Sequence, residues 1–249
     1  MNTRSNGMRL WGVIYPVALY VVVTNIVMFL LNLVWKQTDE NYLIFHIITT
    51  VVAFPVVRSF YVRPEKKENV AYHYIRYLFL AGMGAAAAVV LNNLIALTPL
   101  LEASGTYQEV SAALYGNTIF WEILATGIFT PVIEELLYRG VVYQRLREWL
   151  GIVPAVLLSA VLFGAMHMNV VQFVYAGLIG LLLAYVNETF GLSASIMVHA
   201  AGNIIGIVRT ETGFLSAGGS RMNFWIETIF GLLFGIICLL FLLWSKHTK

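Results

Sequence analysis

Long, uninterrupted apolar runs recur along the chain, and they restrict the folds that it can adopt. The first run, Leu10 to Trp35, contains no charged residue, and a helix needs about 20 such residues to cross the hydrocarbon core of a bilayer. Outer-membrane barrels show short alternating segments instead. Because 59% of the 249 residues are hydrophobic and 11% are charged, the chain carries more apolar surface than a soluble domain buries. The sequence therefore predicts an all-α, polytopic membrane protein.

The apolar runs divide the chain into about eight transmembrane helices, which we expect to form one helical bundle and one domain over residues 1–249. The predicted spans are Leu10 to Trp35, Tyr42 to Tyr61, Tyr74 to Leu97, Thr118 to Val142, Ile152 to Met168, Val170 to Val186, Leu192 to Val208 and Phe224 to Trp244. The longest polar connection, Pro99 to Asn117, is expected to hold a short surface helix around Tyr107 to Tyr115.

Basic residues are distributed unequally between the two ends of the predicted spans. With both termini on one side, twelve Lys and Arg residues fall on that side, and three, Lys36, Arg209 and Arg221, fall on the other. Cytoplasmic loops carry such an excess, so both termini are predicted to be cytoplasmic, in a multi-pass protein of the cell membrane. The basic residues lie at span ends and form no stripe, so we expect no nucleic-acid partner.

The fourth predicted span contains two adjacent acids and a basic residue, Glu134, Glu135 and Arg139. Acids in such a run are costly in lipid and therefore tend to be functional. On a helix, Glu135 and Arg139 lie about 40° apart, whereas Glu134 and Arg139 lie roughly 140° apart. We therefore predict an ion pair between Glu135 and Arg139, which leaves Glu134 free for chemistry. The alternative is a helix end that has reached water and carries ordinary surface charges.

Two histidines lie in later apolar spans, in the segments Phe163 to His167 and His199 to Asn203. A single histidine on an apolar face is more often a core residue than a catalyst. The ordered combination Glu-Glu-x-x-x-Arg, Phe-x-x-x-His and His-x-x-x-Asn, however, resembles the CAAX protease and bacteriocin-processing (CPBP, or Abi) family of intramembrane proteases. The resemblance covers about Trp121 to Ile207, within a motif-bearing core at about residues 118–208.

The resemblance implies a role for each motif residue. It makes Glu134 the catalytic base, and it makes His167 the residue that positions or helps to activate the attacking water. His199 and Asn203 lie one turn apart on one helix face, and they match the pair that binds the oxyanion and the substrate carbonyl. Phe163 is expected to pack against the cavity wall as structural support, and the predicted ion pair is also structural.

Glu134 and His167 can lie at the same depth in the membrane only if the helix that bears Glu134 is long. If this helix ended at Gly140, Glu134 would lie about 9 Å from the cytoplasmic face and His167 about 21 Å from it, at about 1.5 Å per residue. Continuation to about Leu150 brings the two residues to a similar depth. We therefore predict the long helix, since a glycine costs only about 1 kcal/mol in a helix interior.

Two catalytic mechanisms fit this residue set. No serine stands in a Gly-x-Ser-x-Gly elbow, and Cys238 lies far from the motifs, which favours direct attack by an activated water without a cofactor. Glu134, His167 and His199 also form a His₂Glu set of the type that binds catalytic zinc. We favour the glutamate-type mechanism, because no carboxylate is evident beside either histidine to orient it on a metal. Zinc remains the alternative.

The sequence thus predicts an intramembrane endopeptidase that cleaves peptide or membrane-associated protein substrates near the surface of the lipid bilayer. The alternative is a non-catalytic immunity or scaffold protein, or a proton-coupled transporter that uses the same buried Glu134 and histidines. Loss of cleavage in Glu134→Gln would distinguish the enzyme from these classes. A further histidine, His46, lies outside the motifs near a predicted membrane interface, and we assign it no role.

Overall fold

A computed structural model describes residues 5–62, 74–116, 118–214 and 221–247. Every regular element in these ranges is helical, which confirms the predicted all-α class. Five helices precede the first motif: α1 (Asn6–Val34), α2 (Tyr42–Ser59), α3 (Tyr74–Ala96), α4 (Leu100–Ala103) and α5 (Gly105–Leu114). Helices α4 and α5 occupy the polar connection in which the sequence predicts a short helix.

The first motif lies on one long helical segment, residues 119–150, which we call the motif helix. Its consecutive parts are α6 (Ile119–Glu122), π1 (Ile123–Phe129), α7 (Thr130–Leu137), π2 (Tyr138–Tyr143) and α8 (Gln144–Leu150). The backbone at each junction is right-handed helical. The segment ends at Gly151, whose φ of 86° suits a glycine. The predicted continuation past Gly140 to about Leu150 is therefore confirmed.

Four more helices complete the described part of the chain: α9 (Ile152–Ala165), α10 (Val170–Phe190), α11 (Leu192–Thr212) and α12 (Arg221–His247). Six helices in the described ranges, namely α1, α2, α3, α10, α11 and α12, are long and apolar enough to cross a membrane, so the chain is a multi-pass membrane protein. The predicted number of eight is not confirmed. Helix α9 has 14 residues, about 21 Å of helix against a core of about 30 Å, and π segments interrupt the motif helix.

Proline explains why the motif helix departs from α geometry at π1. Pro131 has no backbone N–H, and the N–H of the preceding Thr130 bonds to Ala125 O, five residues back. The carbonyl of Thr126 therefore loses both of the helical N–H groups that could reach it. The carbonyl oxygen of Thr126 can therefore accept a hydrogen bond from a residue outside the motif helix.

Glycine explains the close packing at π2. The carbonyl of Gly140 accepts a 3.1 Å hydrogen bond from Val62 N, just after α2. The ring of Tyr61 lies 2.8 Å from the position that a Cβ would take at Gly140. A side chain at this position would push the segment after α2 away from the motif helix.

Polar contacts join several helix ends at one end of the bundle, which we call the basic end. Arg145 of α8 donates to the carbonyls of Gly12 in α1 and Phe60 after α2. Arg76 at the start of α3 donates to the carbonyl of Ser245 near the end of α12. The N-terminal turns of α1 therefore lie near the C-terminal end of α2, and those of α3 lie near the C-terminal end of α12.

A second set of polar contacts joins helix ends at the opposite end, which we call the α5 end. Gly116 N, just after α5, donates to Glu211 Oε1 of α11 at 3.2 Å. Arg209 Nη2 donates to Asn93 Oδ1 of α3 at 2.8 Å, and Asn93 Nδ2 donates to Thr228 Oγ1 of α12 at 2.9 Å. Which of the two ends faces the cytoplasm stays a prediction from the charge distribution.

Helices α3 and α11 pack backbone to backbone beside His199. A methyl group on Gly84 would overlap the carbonyl oxygen of Val198, and one on Gly202 would lie 3.3 Å from the carbonyl oxygen of Gly84. Small residues allow such close approach of helices in membranes. Because Val198 and Gly202 flank His199 on α11, this contact fixes the position of the His199 backbone.

Gly84→Ala is expected to destabilise the protein, because the added methyl group must push α11 away from α3. Overpacking of this kind typically costs about 1–3 kcal/mol. Gly177→Ala on α10 is the matched control, since nothing lies within 4 Å of its added Cβ and alanine favours a helix by up to about 1 kcal/mol. Thermal unfolding in detergent should show a lower Tm for Gly84→Ala alone. Equal Tm values would mean that the contact between α3 and α11 accommodates the added methyl group without strain.

Candidate active site

A cavity of about 720 Å³ lies among the described helices, within the size range of ligand pockets in proteins. Five residues singled out by the motifs line it, namely Glu134, Phe163, His167, His199 and Asn203. They come from the motif helix, from α9 and the turn that follows it, and from α11. In the sequence, only the order of the three motifs relates these side chains. In the structure, they surround one cavity.

An ion pair is buried next to two residues that line the cavity, Phe163 and His199. Arg139 Nη1 lies 2.9 Å from Glu135 Oε1, and both side chains are fully shielded from solvent. This is the pairing that the angular separation on the helix predicts. Arg139 also donates to Gly180 O at 3.1 Å, and its guanidinium carbon lies 4.5 Å from the centre of the Phe163 ring. These contacts offset the cost of taking the charges out of water.

His199 lies between the two glutamates of the first motif. Its Nδ1 is 3.0 Å from Glu135 Oε1, so this nitrogen carries a proton that the carboxylate accepts. Its Nε2 is 3.7 Å from Glu134 Oε2. Glu135 thus orients the His199 ring in addition to pairing with Arg139. The prediction that no carboxylate lies beside either histidine is therefore wrong for His199, because the contact joins two helices and no sequence spacing reveals it.

His167 lies in the turn between α9 and α10, at the edge of the cavity. Its backbone N–H bonds to Gly164 O at 3.1 Å, and its side-chain Nδ1 bonds to Phe163 O at 3.0 Å. Since a carbonyl only accepts, Nδ1 carries the proton, and Nε2 of a neutral ring is left as an acceptor. The turn is tight, because the next residue, Met168, has a positive φ of 57°.

Asn203 is held by the irregular part of the motif helix. Its Nδ2 donates to Thr126 O at 2.8 Å, the carbonyl that π1 and Pro131 leave without a helical partner. The second N–H of the amide is available for another acceptor in the cavity. A proline on the motif helix thus determines where a side chain of the third motif is anchored.

Phe163 is the packing centre of the site. Its ring makes edge-to-face contacts with His167 and His199, with ring centres 5.3 and 5.6 Å apart, and with Tyr138 at 5.1 Å. Together with the stacked guanidinium of Arg139, these contacts join members of all three motifs to one buried ring. Aromatic packing of this geometry restrains the orientation of both imidazoles.

The cavity is also lined by polar residues that lie outside the three sequence motifs. His46 of α2 bonds through Nε2 to Thr130 Oγ1 at 2.8 Å, and both residues line the cavity. Thr130 precedes Glu134 by one helical turn, so the helical period alone would have placed the two on one face. No nearby motif indicates the position of His46, because only tertiary packing brings α2 to the site.

The three residues considered as zinc ligands do not form a metal site in this structure. Within the described ranges, no three His, Cys, Asp or Glu side chains lie close enough together to hold one metal ion. His167 and His199 use Nδ1 for contacts with protein oxygens, so Nε2 of each ring is the nitrogen that would bind a metal.

Comparison with known proteins agrees with the motifs. Residues 116–205 match the family model described as type II CAAX prenyl endopeptidase Rce1-like. The match spans nearly all of the motif-bearing core, and it confirms the resemblance to the CPBP family over these residues. It also indicates a CAAX-type intramembrane protease, and such a protease acts on a peptide or protein in a lipid bilayer. No curated protein and no solved structure matches the chain.

Arg139→Ala is expected to be strongly destabilising, because it leaves the Glu135 charge buried without its partner. Breaking a buried pair in this way typically costs about 3–5 kcal/mol. Glu134→Gln, a nearly isosteric change outside the pair, should leave the melting temperature in detergent unchanged or slightly raised. Comparable losses of stability in the two variants would show that Glu134 belongs to the ion pair.

Proposed function

We propose that the protein is a glutamate-type intramembrane endopeptidase that hydrolyses peptide bonds of peptide or membrane-associated protein substrates. The observation that carries the proposal is the convergence of Glu134, His167, His199 and Asn203 on one cavity. The family match over residues 116–205 supports the reaction class. The proposed location is the cell membrane, in agreement with the six apolar helices of the described chain.

The charges of the site call for one additional proton. Arg139 and Glu135 neutralise each other, and Glu134 adds a negative charge 3.7 Å from His199. An uncompensated charge is costly in a low-dielectric interior, so one further proton makes the cluster neutral. Glu134 and His199 Nε2 are the two groups of the cluster that can accept a proton. Transfer of the proton between these groups provides the acid and base that the reaction needs.

The proposed reaction begins with a water molecule bound between Glu134 and His167 Nε2, which line the same cavity. Glu134 takes one proton from this water while the water oxygen attacks the carbonyl carbon of the scissile bond. The tetrahedral intermediate then collapses as the C–N bond breaks, and Glu134 gives the proton to the leaving nitrogen. The products are a new carboxyl terminus and a new amine, so the atoms balance without any co-reactant except water.

His199 and Asn203 are proposed to bind the carbonyl oxygen of the substrate. Asn203 has one amide N–H left after its bond to Thr126 O, and His199 donates from Nε2 when its ring is an imidazolium. The Glu135 carboxylate, 3.0 Å from His199 Nδ1, balances the imidazolium charge, as buried carboxylates do for catalytic histidines in serine proteases. Donors that are fixed in advance stabilise an oxyanion without further reorganisation.

The hydroxyl groups of Thr126 and Thr130 and the thiol of Cys238 support attack by water instead of by a side chain. Thr130 Oγ1 donates to Ala125 O at 3.0 Å, so it accepts from His46 at its 2.8 Å contact, the reverse of an activated nucleophile. Thr126 Oγ1 donates to a backbone carbonyl at 2.8 Å. Cys238 is buried in α12 and is not among the residues that line the cavity.

Glu134→Gln should abolish cleavage of a membrane-protein substrate in proteoliposomes while the protein stays folded, because an amide cannot accept the proton of the water. His199→Ala and Asn203→Ala should each lower kcat by about 10²–10³-fold, the effect of removing one oxyanion donor. Thr130→Val removes only a hydroxyl and should still cleave. Glu148→Gln is the matched control, an exposed carboxylate outside the cavity. Unchanged processing by Glu134→Gln would refute the mechanism and favour the scaffold or transporter class.

Chelation distinguishes the glutamate-type mechanism from the zinc alternative. Because the mechanism uses only protein groups and water, activity of the purified enzyme should persist in the presence of a strong zinc chelator. Metal analysis of the same preparation should show less than one equivalent of zinc. Loss of activity on chelation, with recovery on addition of zinc, would establish the His₂Glu metal site instead.

A further inference from the structure

The cavity extends from the catalytic residues toward the α5 end of the bundle. Beyond Glu134 and His199, its walls include Tyr42 at the start of α2, Tyr107 of α5 and Thr210 near the end of α11. Thr210 is exposed to solvent, so the cavity reaches the surface there. We call the outer part of the cavity, bounded by α4, α5 and the last turn of α11, the vestibule.

The opposite direction is closed by the motif helix. All nine residues from Glu135 to Tyr143 are buried, and nine residues cover the full circumference of a helix over more than two turns. None of the described residues that line the cavity lies at the basic end. A substrate therefore reaches Glu134 from the α5 end.

The charge distribution indicates which compartment the vestibule faces. Arg145 and Arg76 lie at the basic end, beside the first turns of α1 and the last turns of α12. With Arg139 buried in the ion pair, eleven basic residues remain on the side of the termini against three on the other side. The side with such an excess stays in the cytoplasm. The vestibule therefore faces away from the cytoplasm.

The walls of the vestibule are largely aliphatic and aromatic, with one cation, Arg209 on the last turn of α11, whose guanidinium donates to Asn93 and lies 3.8 Å from Glu227. Leu101 of α4 and Leu114 of α5 contribute aliphatic surface, and Tyr107 and Tyr115 contribute aromatic rings. Burial, reinforced by Tyr107 and two nearby glutamates, raises the pKa of Tyr115 to about 12, so its phenol is neutral at physiological pH. Walls of this kind, with a few hydroxyl groups and a cation that Asn93 and Glu227 already hold, suit an extended apolar peptide.

We propose that the active site is reached only from the non-cytoplasmic face, through the vestibule, and that its substrates are apolar peptide segments presented at that face. This inference rests on the proposed peptidase function and adds to it a side of the membrane and a substrate class. A segment confined to the cytoplasm would meet the closed, basic end of the bundle and would not be cleaved.

Single cysteines test the sidedness without any cleavage assay. Ser111→Cys probes the vestibule, Thr210→Cys probes its mouth, and Glu148→Cys probes the exposed surface of the basic end. The unmodified protein, whose one cysteine, Cys238, is buried, gives the background. A membrane-impermeant maleimide should label the first two variants in right-side-out vesicles and the third in inverted vesicles. The reverse pattern would overturn the sidedness whatever the activity of the protein.

Blocking the vestibule tests whether it is the route to Glu134. In detergent, a bulky maleimide on Ser111→Cys should lower cleavage of a quenched apolar peptide by about tenfold or more, because a filled pocket excludes its ligand. The same label on Glu109→Cys, which is exposed and lies about 160° around α5 from Ser111, should leave cleavage unchanged. Equal rates in both labelled variants would overturn the route. Absence of cleavage even before labelling would refute the peptidase function, while the vesicle labelling would still decide the sidedness.

Discussion

A charge inside a membrane must be paired, and the pairing of Glu135 with Arg139 sets the arrangement of the site around it. The guanidinium needs more partners than one carboxylate oxygen provides, and it finds them in the carbonyl of Gly180 and the ring face of Phe163. The carboxylate in turn accepts from His199. One ion pair thus links the motif helix to α9, α10 and α11, and it gives two adjacent glutamates different environments: Glu135 is fully buried, whereas the Glu134 side chain is 20% exposed.

The irregular geometry of the motif helix is the second feature on which the site depends. Segments of π-helix often occur at functional sites, and here each has a local cause and a distant consequence. Pro131 and π1 release the carbonyl of Thr126, which then anchors the amide of Asn203. Gly140 in π2 admits the segment after α2 against the motif helix. A regular α-helix over the same residues would pair the carbonyl of Thr126 with the N–H of Thr130 and leave Asn203 without this anchor.

The exposed and buried faces of the bundle explain how a hydrolase can work within lipid. Water is excluded by the buried residues from Glu135 to Tyr143, whereas the cavity on the other side of Glu134 extends to the exposed Thr210. A site closed on one side and open on the other gives water and substrate a defined path. It also keeps the ion pair in a low dielectric, where fixed hydrogen-bond donors act more strongly than they do in water.

The sequence by itself determined the membrane class, the helical architecture, the long motif helix and the spacing of the ion pair, because apolar length and an i,i+4 separation are local properties. The order of the motifs also selected the residues that line the cavity. Only the tertiary structure decided that Glu135 reaches His199 and that His46 enters the cavity. These features depend on which helix faces meet. Contacts between distant residues, such as Gly84 against the backbone of Val198, determine that packing, and no local pattern encodes them.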